Sequence, residues 1–365
     1  MTRPIVIAAG GTGGHFFPAE AVSTVLAERG YELILMTDAR HGRRETGVFA
    51  DRPQYVLDGA GIAGKGLGAK IRGGTALLRG IITARKHLST LNAAAVIGFG
   101  GYPSIPPLLA ARLLPASKRP VMVIHEGNAV LGQANALIAR FNPVIATSYE
   151  SVARLPADVT HKQTGMPVRP GIEALFGTPY TPPTDKINLL VWGGSLGASV
   201  FSTLVPQAIA ALPDELRNRL HVTQQVRGND LDTVKALYTH SGVSCHVASF
   251  FHDVPERLKD AHLVIGRAGG SSVAELAMAG RPSLLVPLPI AASDEQGANA
   301  QALERAGGAW MVRQPSLTPS LLTERLMTLL THPEQLSAAA KAAQSFATPH
   351  AAARVADLII ASLPT

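Results

Sequence analysis

The strongest constraint on the fold is a junction that occurs twice. An apolar run at residues 4–9 passes straight into Gly10-Gly11-Thr12-Gly13-Gly14-His15, and a second at residues 187–192 passes into Gly193-Gly194-Ser195-Leu196-Gly197-Ala198. A short apolar strand that stops at a glycine-rich turn and gives way to a helical pattern is the repeating unit of a parallel sheet covered by helices. In the first half, residues 18–29 read as a helix and residues 31–37, 94–97, 121–125 and 144–147 as further strands. In the second half the strands fall at 187–192, 220–226, 244–249, 263–265 and 283–286, with helices such as 198–212 and 294–305. With 365 residues, 46% of them hydrophobic and 16% charged, each half can bury its own core.

Prolines at 167, 170, 179, 182 and 183 separate the two series. The expected architecture is α/β, with two doubly wound Rossmann-like domains facing a deep cleft. Residues 1–165 form the first domain, 166–186 a linker, 187–340 the second domain, and 341–365 a C-terminal helix packing back across both. Ligands of such sheets sit at the carboxyl ends of the strands.

Composition narrows the setting. The one cysteine, Cys245, has no intramolecular partner, and the amino-terminal run has none of the regions of a signal peptide, so a reducing, cytoplasmic compartment is expected. Gly, Pro and charges break every apolar run before the ~20 residues a spanning helix needs, so membrane contact is expected to be peripheral. The net charge of +7 calls for an anionic partner. The 67 residues between Asp58 and Glu126 contain no Asp or Glu but hold Lys65, Lys70, Arg72, Arg79, Arg85, Lys86, Arg112, Lys118 and Arg119. Among them Leu67, Ile71, Leu78, Ile81, Ile82 and Leu88 recur at helical spacing, which suits a face that dips into an anionic leaflet. Core packing explains the same stripe equally well, and Gly73-Gly74 is expected to interrupt the helix. Nucleic acid is a poor partner: aromatics make up 5% of the chain, and no Phe, Tyr or Trp lies between Gly59 and Gly98.

The first glycine-rich loop lets backbone approach a phosphate or sugar closely, and the helix after it offers unpaired N–H groups and the positive end of its dipole. A simple tight turn would also use glycine, although it gives no reason for His15; the dinucleotide fingerprint is imperfect because Phe16 stands where a third glycine would fall. A third such turn, Gly266-Arg267-Ala268-Gly269-Gly270-Ser271-Ser272, leads into a short helix carrying Glu275, which is placed to accept ribose hydroxyl hydrogen bonds or else is a solvated helix residue. No metal site emerges. The one Asp-x-Asp, Asp230 and Asp232, reads as helix capping. The polar start Asp294-Glu295-Gln296-Gly297-Ala298-Asn299-Ala300 either reaches sugar hydroxyls or is an ordinary helix amino terminus.

In this order the motifs resemble the MurG family of N-acetylglucosaminyltransferases acting on undecaprenyl-pyrophosphoryl-muramyl-pentapeptide, which have the GT-B fold. The resemblance spans nearly the whole chain. It is carried by residues 10–18, Gly64-Lys65-Gly66, Gly100-Gly101-Tyr102, His125-Glu126-Gly127-Asn128, Gly165-Met166-Pro167-Val168-Arg169, Gly193-Gly194-Ser195, Arg267-Ala268-Gly269 through Glu275, and Gln296 with Asn299-Ala300. It implies an inverting transfer of GlcNAc from UDP-GlcNAc to the muramyl 4-hydroxyl of the lipid-linked acceptor (lipid I, yielding lipid II), with no cofactor or metal required. By the resemblance, His15 is the general base. The donor meets Thr12, Gly13, Gly14, Asn128, Arg169, Ser195, Phe250, Phe251, Arg267, Gly270, Ser271, Ser272, Glu275 and Gln296. Within that set Phe250 and Phe251 lie beside the uracil, Glu275 on the ribose, Ser195, Arg169 and Arg267 near the diphosphate, and Gln296 and Asn128 on the GlcNAc. The acceptor pyrophosphate meets Gly13, Lys65, Gly101 and Tyr102. The resemblance further implies an anionic membrane surface and cell-wall and division proteins as partners, at the cytoplasmic face of the inner membrane.

The chain departs from the family pattern at four positions. Gly127 and Leu196 stand where glutamine is usual, Met166 where asparagine is usual, and Glu295 where His or Gln is usual. Losing these amides removes hydrogen-bonding capacity near the donor, and Glu295 adds a negative charge there. Other readings compatible with the fold are a UDP-GlcNAc 2-epimerase, another GT-B glycosyltransferase, a nicotinamide oxidoreductase using Asp38, and a catalytically silent UDP-sugar-binding membrane scaffold.

Overall fold

A computed structural model describes residues 3–10, 13–39, 42–58, 67–194, 198–289 and 293–364, with backbone alone for 67–71. The chain divides into two compact units, one of residues 1–169 with 350–365 and one of residues 170–349. The Pro-rich stretch at 166–186 is therefore not a free linker. Residues 166–169 belong to the first unit, and Tyr180 is fastened to the second by its hydroxyl, which donates to the His262 carbonyl at 2.9 Å.

The first unit holds seven strands: β1 (Ile5–Ala8), β2 (Leu33–Asp38), β3 (Gln54–Leu57), β4 (Ala95–Gly98), β5 (Val121–Glu126), β6 (Val144–Thr147) and β7 (His161–Gln163). They run parallel in the order β3-β2-β1-β4-β5-β6-β7. β1, β2 and β4 are buried along their whole length, as strands covered on both faces must be. Its helices are α1 (Gly13–Glu28), α2 (Leu67–Leu91), α3 (Ile105–Arg112) and α4 (Gln133–Ala139).

In the second unit the helices begin with α5 (Pro170–Glu173), α6 (Ser199–Ala210), α7 (Asp214–Arg217), α8 (Leu231–His240) and α9 (Val254–Asp260). They continue with α10 (Gly270–Met278), α11 (Glu295–Arg305), α12 (Pro319–Thr331) and α13 (Pro333–Phe346). Six parallel strands, β8 (Ile187–Trp192), β9 (Leu220–Gln225), β10 (Ser244–Ala248), β11 (Leu263–Gly266), β12 (Ser283–Leu285) and β13 (Ala309–Met311), lie in the order β10-β9-β8-β11-β12-β13. Phe201, Val205 and Ile209 of α6 and Leu322, Leu326 and Leu329 of α12 close one core against this sheet.

Four local expectations change. α1 begins at Gly13, not at Pro18, because burial of Phe16 against Phe49 on the same face as Ala19, Val22 and Leu26 draws the turn into the helix. Gly13, Gly14 and His15 thereby become its first turn. α2 runs unbroken through Gly73-Gly74, since its packing on α3 outweighs the glycine cost of ~1 kcal/mol per residue. Asp230 precedes α8, but its side chain makes no capping bond. Finally, residues 341–365 are not one helix: α13 belongs to the second unit and α14 (Ala351–Ala361) to the first. There α14 lays Val355, Ala356 and Ile359 on the core beneath α1, and Asp357 pairs with Arg29 at 2.6 Å.

Candidate active site

Strand order reverses direction between β1 and β4 in the first unit and between β8 and β11 in the second. Loops leaving these strand pairs diverge and leave a crevice at the carboxyl ends, the ligand position of doubly wound sheets. Among the described residues of the glycine-rich turns, Gly10 and Gly13 follow β1, Gly193 and Gly194 follow β8, and residues 267–270 follow β11, at these switch points.

In the first unit, the first turn of α1 and the loop after β4 meet through His15. Its Nδ1 lies 3.0 Å from the Phe99 carbonyl oxygen, and its ring lies over Gly100 and Gly101. Both glycines have positive φ, 81° and 69°. A Cβ at Gly101 would stand 3.2 Å from His15 Cδ2, so a side chain there meets both backbone strain and the imidazole. A carbonyl can only accept, so the contact places the proton on Nδ1 and leaves Nε2 as the basic nitrogen. The first-turn N–H groups of Gly13 and Gly14, the positive end of α1, adjoin this ring.

The loop after β5 supplies the next layer. His125 is 1% exposed, meets Phe99 in a tilted ring pair with centroids 5.8 Å apart, and sits with Nε2 3.0 Å from the Gly165 carbonyl; burial, reinforced by nearby His15, pushes its pKa down to about 4. It is therefore a neutral ring. Glu126, 2% exposed, accepts four hydrogen bonds: from the Asn128 backbone and side-chain nitrogens at 3.0 and 3.1 Å, from Gly132 N at 2.9 Å and from Asn135 Nδ2 at 2.9 Å. Burial raises the carboxyl pKa and these bonds oppose the shift. The carboxylate thus folds the turn that presents Asn128. Asn135 was not among the expected residues. Its buried amide also donates to the His125 carbonyl at 3.0 Å, which locks β5 to α4, and a lone Asn in the apolar run of α4 was the available signal.

In the second unit the loop after β11 is held from behind. The Gln296 side-chain carbonyl accepts from Ala268 N at 3.3 Å and Leu288 N at 3.0 Å, while Asn299, fully buried, donates to the Ala268 carbonyl at 3.1 Å. Arg267 is 8% exposed and donates to the carbonyls of Val286 and Pro287 at 3.0 and 3.3 Å; burial lowers its pKa. These bonds join the ends of β11 and β12 and keep a cation inside the unit. Gly270, Ser271 and Ser272 form the first turn of α10, and Glu275, one turn on, shares a hollow with Trp192, Arg267 and Ser272. Phe250 and Phe251 part company: Phe250 is 56% exposed, whereas Phe251 is buried between Trp192 and His246 with the Arg257 guanidinium 4.0 Å above its ring.

Arg169 belongs to the first unit, its guanidinium 4.8 Å above Phe17 at the start of α1. The structure brings Gly13, Gly14, His15, Gly101 and Tyr102 to one switch point, with Asn128 on the adjoining loop. Thr12, Lys65 and Ser195 lie outside the described residues, as does Leu196. Among the described residues no group of His, Cys, Asp or Glu could hold a metal ion.

These two switch points belong to a two-domain glycosyltransferase of the GT-B type. Residues 5–147 match the glycosyltransferase family 28 N-terminal domain and residues 188–355 the family 28 C-terminal domain. The chain is 70% identical over its full length, and the relative's, to a UDP-N-acetylglucosamine--N-acetylmuramyl-(pentapeptide) pyrophosphoryl-undecaprenol N-acetylglucosamine transferase of Gluconobacter oxydans (strain 621H). A relative of the same name in Granulibacter bethesdensis (strain ATCC BAA-1260 / CGDNIH1) is 50% identical over all of this chain and 94% of its own. The crystal structure of Acinetobacter baumannii MurG superposes with a TM-score of 0.78 at 30% identity, covering 99% of this chain and all of the other. The chain belongs to this transferase family, the MurG family.

Proposed function

We propose that this protein transfers GlcNAc from UDP-GlcNAc to the muramyl 4-hydroxyl of undecaprenyl-pyrophosphoryl-MurNAc-pentapeptide, forming the β-linked disaccharide lipid with release of UDP. The observation that carries the proposal is the 70% identity, end to end, with a relative named for that reaction. In the transfer His15 Nε2 takes the proton of the attacking hydroxyl, the oxygen bonds to the anomeric carbon from the face opposite UDP, and the bond to the β-phosphate breaks. A positioned base of this kind contributes about 10²–10⁴-fold.

The donor is assigned to the second unit. Glu275 accepts from the ribose hydroxyls, exposed Phe250 covers the uracil, and Ser195 with the α10 amides of Gly270, Ser271 and Ser272 takes the diphosphate, with Arg267 adding positive potential from beneath. Gln296, its carbonyl committed to backbone, offers its amide nitrogen to a GlcNAc hydroxyl, and Asn128 offers a second polar group. The acceptor pyrophosphate is assigned to Gly13, Lys65, Gly101 and Tyr102. Helix ends and cations suffice in this reading, and turnover should survive chelation of divalent metals.

No helix of the described residues is long and apolar enough to cross a membrane. Peripheral docking on the anionic cytoplasmic face of the inner membrane is supported by Leu78, Ile82 and Leu113, which are 60%, 68% and 58% exposed among exposed Arg79, Arg85, Lys86 and Arg112. Arg85 Nε donates to the Leu113 carbonyl at 3.4 Å, which makes the patch continuous across α2 and the end of α3.

The deciding experiment supplies radiolabelled UDP-GlcNAc and a short-chain lipid acceptor and scores UDP release and labelled disaccharide lipid. Formation of UDP-ManNAc from UDP-GlcNAc alone would replace the transferase by an epimerase, and absence of both products would leave a binding scaffold.

A further inference from the structure

Gly127 stands between the carboxylate that folds the β5 loop and the amide that the loop presents, and the space its side chain would take is filled. A Cβ built on Gly127 would lie 3.1 Å from Met166 Sδ and 3.2 Å from Met166 Cε, closer than ordinary van der Waals contact. Met166 is 7% exposed, and its sulfur accepts from the Ser148 hydroxyl at 3.5 Å. That hydroxyl lies 3.4 Å from His125 Nε2, and the residue before Met166, Gly165, meets the same nitrogen through its carbonyl at 3.0 Å. The thioether thus lies between the Ser148 hydroxyl and the position a side chain at 127 would take.

The turn on the other side has as little room to move. Glu126 Oε1 holds both nitrogens of Asn128, and Oε2 holds Gly132 and Asn135. A side chain at position 127 must therefore displace either the Met166 side chain or the hydrogen-bonded turn carrying Asn128. We infer that Gly127 and Met166 form a single coupled positioning element, in which the Met166 thioether substitutes for a side chain at 127 and fixes where Asn128 points.

This rests on the reading of Asn128 as a sugar-binding residue. The test is a double-mutant cycle on Gly127→Ala and Met166→Ala, read as kcat/KM for UDP-GlcNAc with a short-chain lipid acceptor. Gly127→Ala should lower kcat/KM about tenfold and Met166→Ala about twofold, while the double variant, with room restored, should stay within about threefold of the native chain. A double variant about twentyfold down, the product of the two single losses, overturns the coupling. A second readout does not need turnover. In protein labelled at the methionine methyls, the resonance lost in Met166→Ala should shift in Gly127→Ala, and an unmoved resonance overturns the contact. If the native chain shows no transfer, the transferase reading falls while this second readout still decides the packing. Should Gly127→Ala alone fail to fold, recovery of folded protein in the double variant supports the coupling, and failure of the double where Met166→Ala folds overturns it.

Discussion

His15 and Phe99 are joined by a 3.0 Å contact from imidazole Nδ1 to carbonyl oxygen, across 84 residues of chain. It connects the first turn of α1 to the loop after β4 at the switch point of the first sheet and fixes the tautomer of the ring. His15→Ala should lower turnover at least tenfold and leave UDP affinity unchanged, because the groups proposed to hold the UDP moiety are those of the second unit. Titration calorimetry with UDP beside the transfer assay makes the comparison, and undiminished turnover removes His15 from the chemistry. Gly101→Ala, which forces a Cβ against the same ring at positive φ, should reproduce part of the loss.

Gln296 invites a subtler substitution. In Gln296→Glu the new carboxylate can still accept from Ala268 N and Leu288 N, so the β11 loop keeps its support. What disappears is the amide donor, and a negative charge arrives beside a diphosphate ligand. UDP-GlcNAc should bind about tenfold or more weakly, with a thermal midpoint within a few degrees of native. Equal affinity for the donor would take Gln296 out of the sugar contacts.

The sequence carried the doubled architecture because a glycine-rich turn at the end of a buried strand is a local signal. Gly10 to His15 and Gly193 to Ala198 announce themselves without knowledge of their neighbours. Features that arise from tertiary packing were less legible. Nothing local to Gly13 through Phe17 says that helix begins before Pro18, since the cause is Phe16 meeting Phe49 from a distant segment. Gly73-Gly74 looked like a break because the packing of α3 on α2 is invisible to propensity. Asn135 is a lone Asn in an apolar helix run, and its buried bonds to His125 and Glu126 reveal it as a support of the site; Asn299 is marked by the motif order, but its part, a bond to the Ala268 carbonyl from behind the loop, is set by packing. Phe250 and Phe251 are adjacent and identical in type, so which ring is core and which faces out was decided by Trp192, His246 and Arg257.

His125 makes stability depend on pH. Its pKa of about 4 in the folded chain lies below the ordinary 6.5, so above pH 6.5 both states hold a neutral ring and nothing is lost. As pH falls from 6.5 toward 4, the unfolded chain binds a proton that the folded chain refuses, and stability drops. Between pH 7 and pH 5 the loss should be about 2 kcal/mol. Glu126, its pKa raised by burial, works in the opposite sense, so the difference between the native chain and His125→Gln isolates the imidazole. Urea unfolding at the two pH values measures it. An equal loss in both proteins would mean that His125 titrates like a solvated residue.

The exposed face of α2 should behave as a docking surface rather than as part of a core. Leu78 and Ile82 lie one turn apart, so Leu78→Asp with Ile82→Asp removes the apolar centre of the patch and sets two negative charges among its arginines. Because both side chains already face solvent, the thermal midpoint should barely move. Against vesicles rich in phosphatidylglycerol the native chain should sediment at low salt and be released as salt rises, since each nearby cation contributes only about 1 kcal/mol through a screened field. The double variant should lose most of that binding while keeping its turnover on a short-chain, water-soluble acceptor. A native chain that ignores acidic vesicles at low salt, or a double variant that binds them undiminished, would return this stripe to the role of an ordinary solvated helix face.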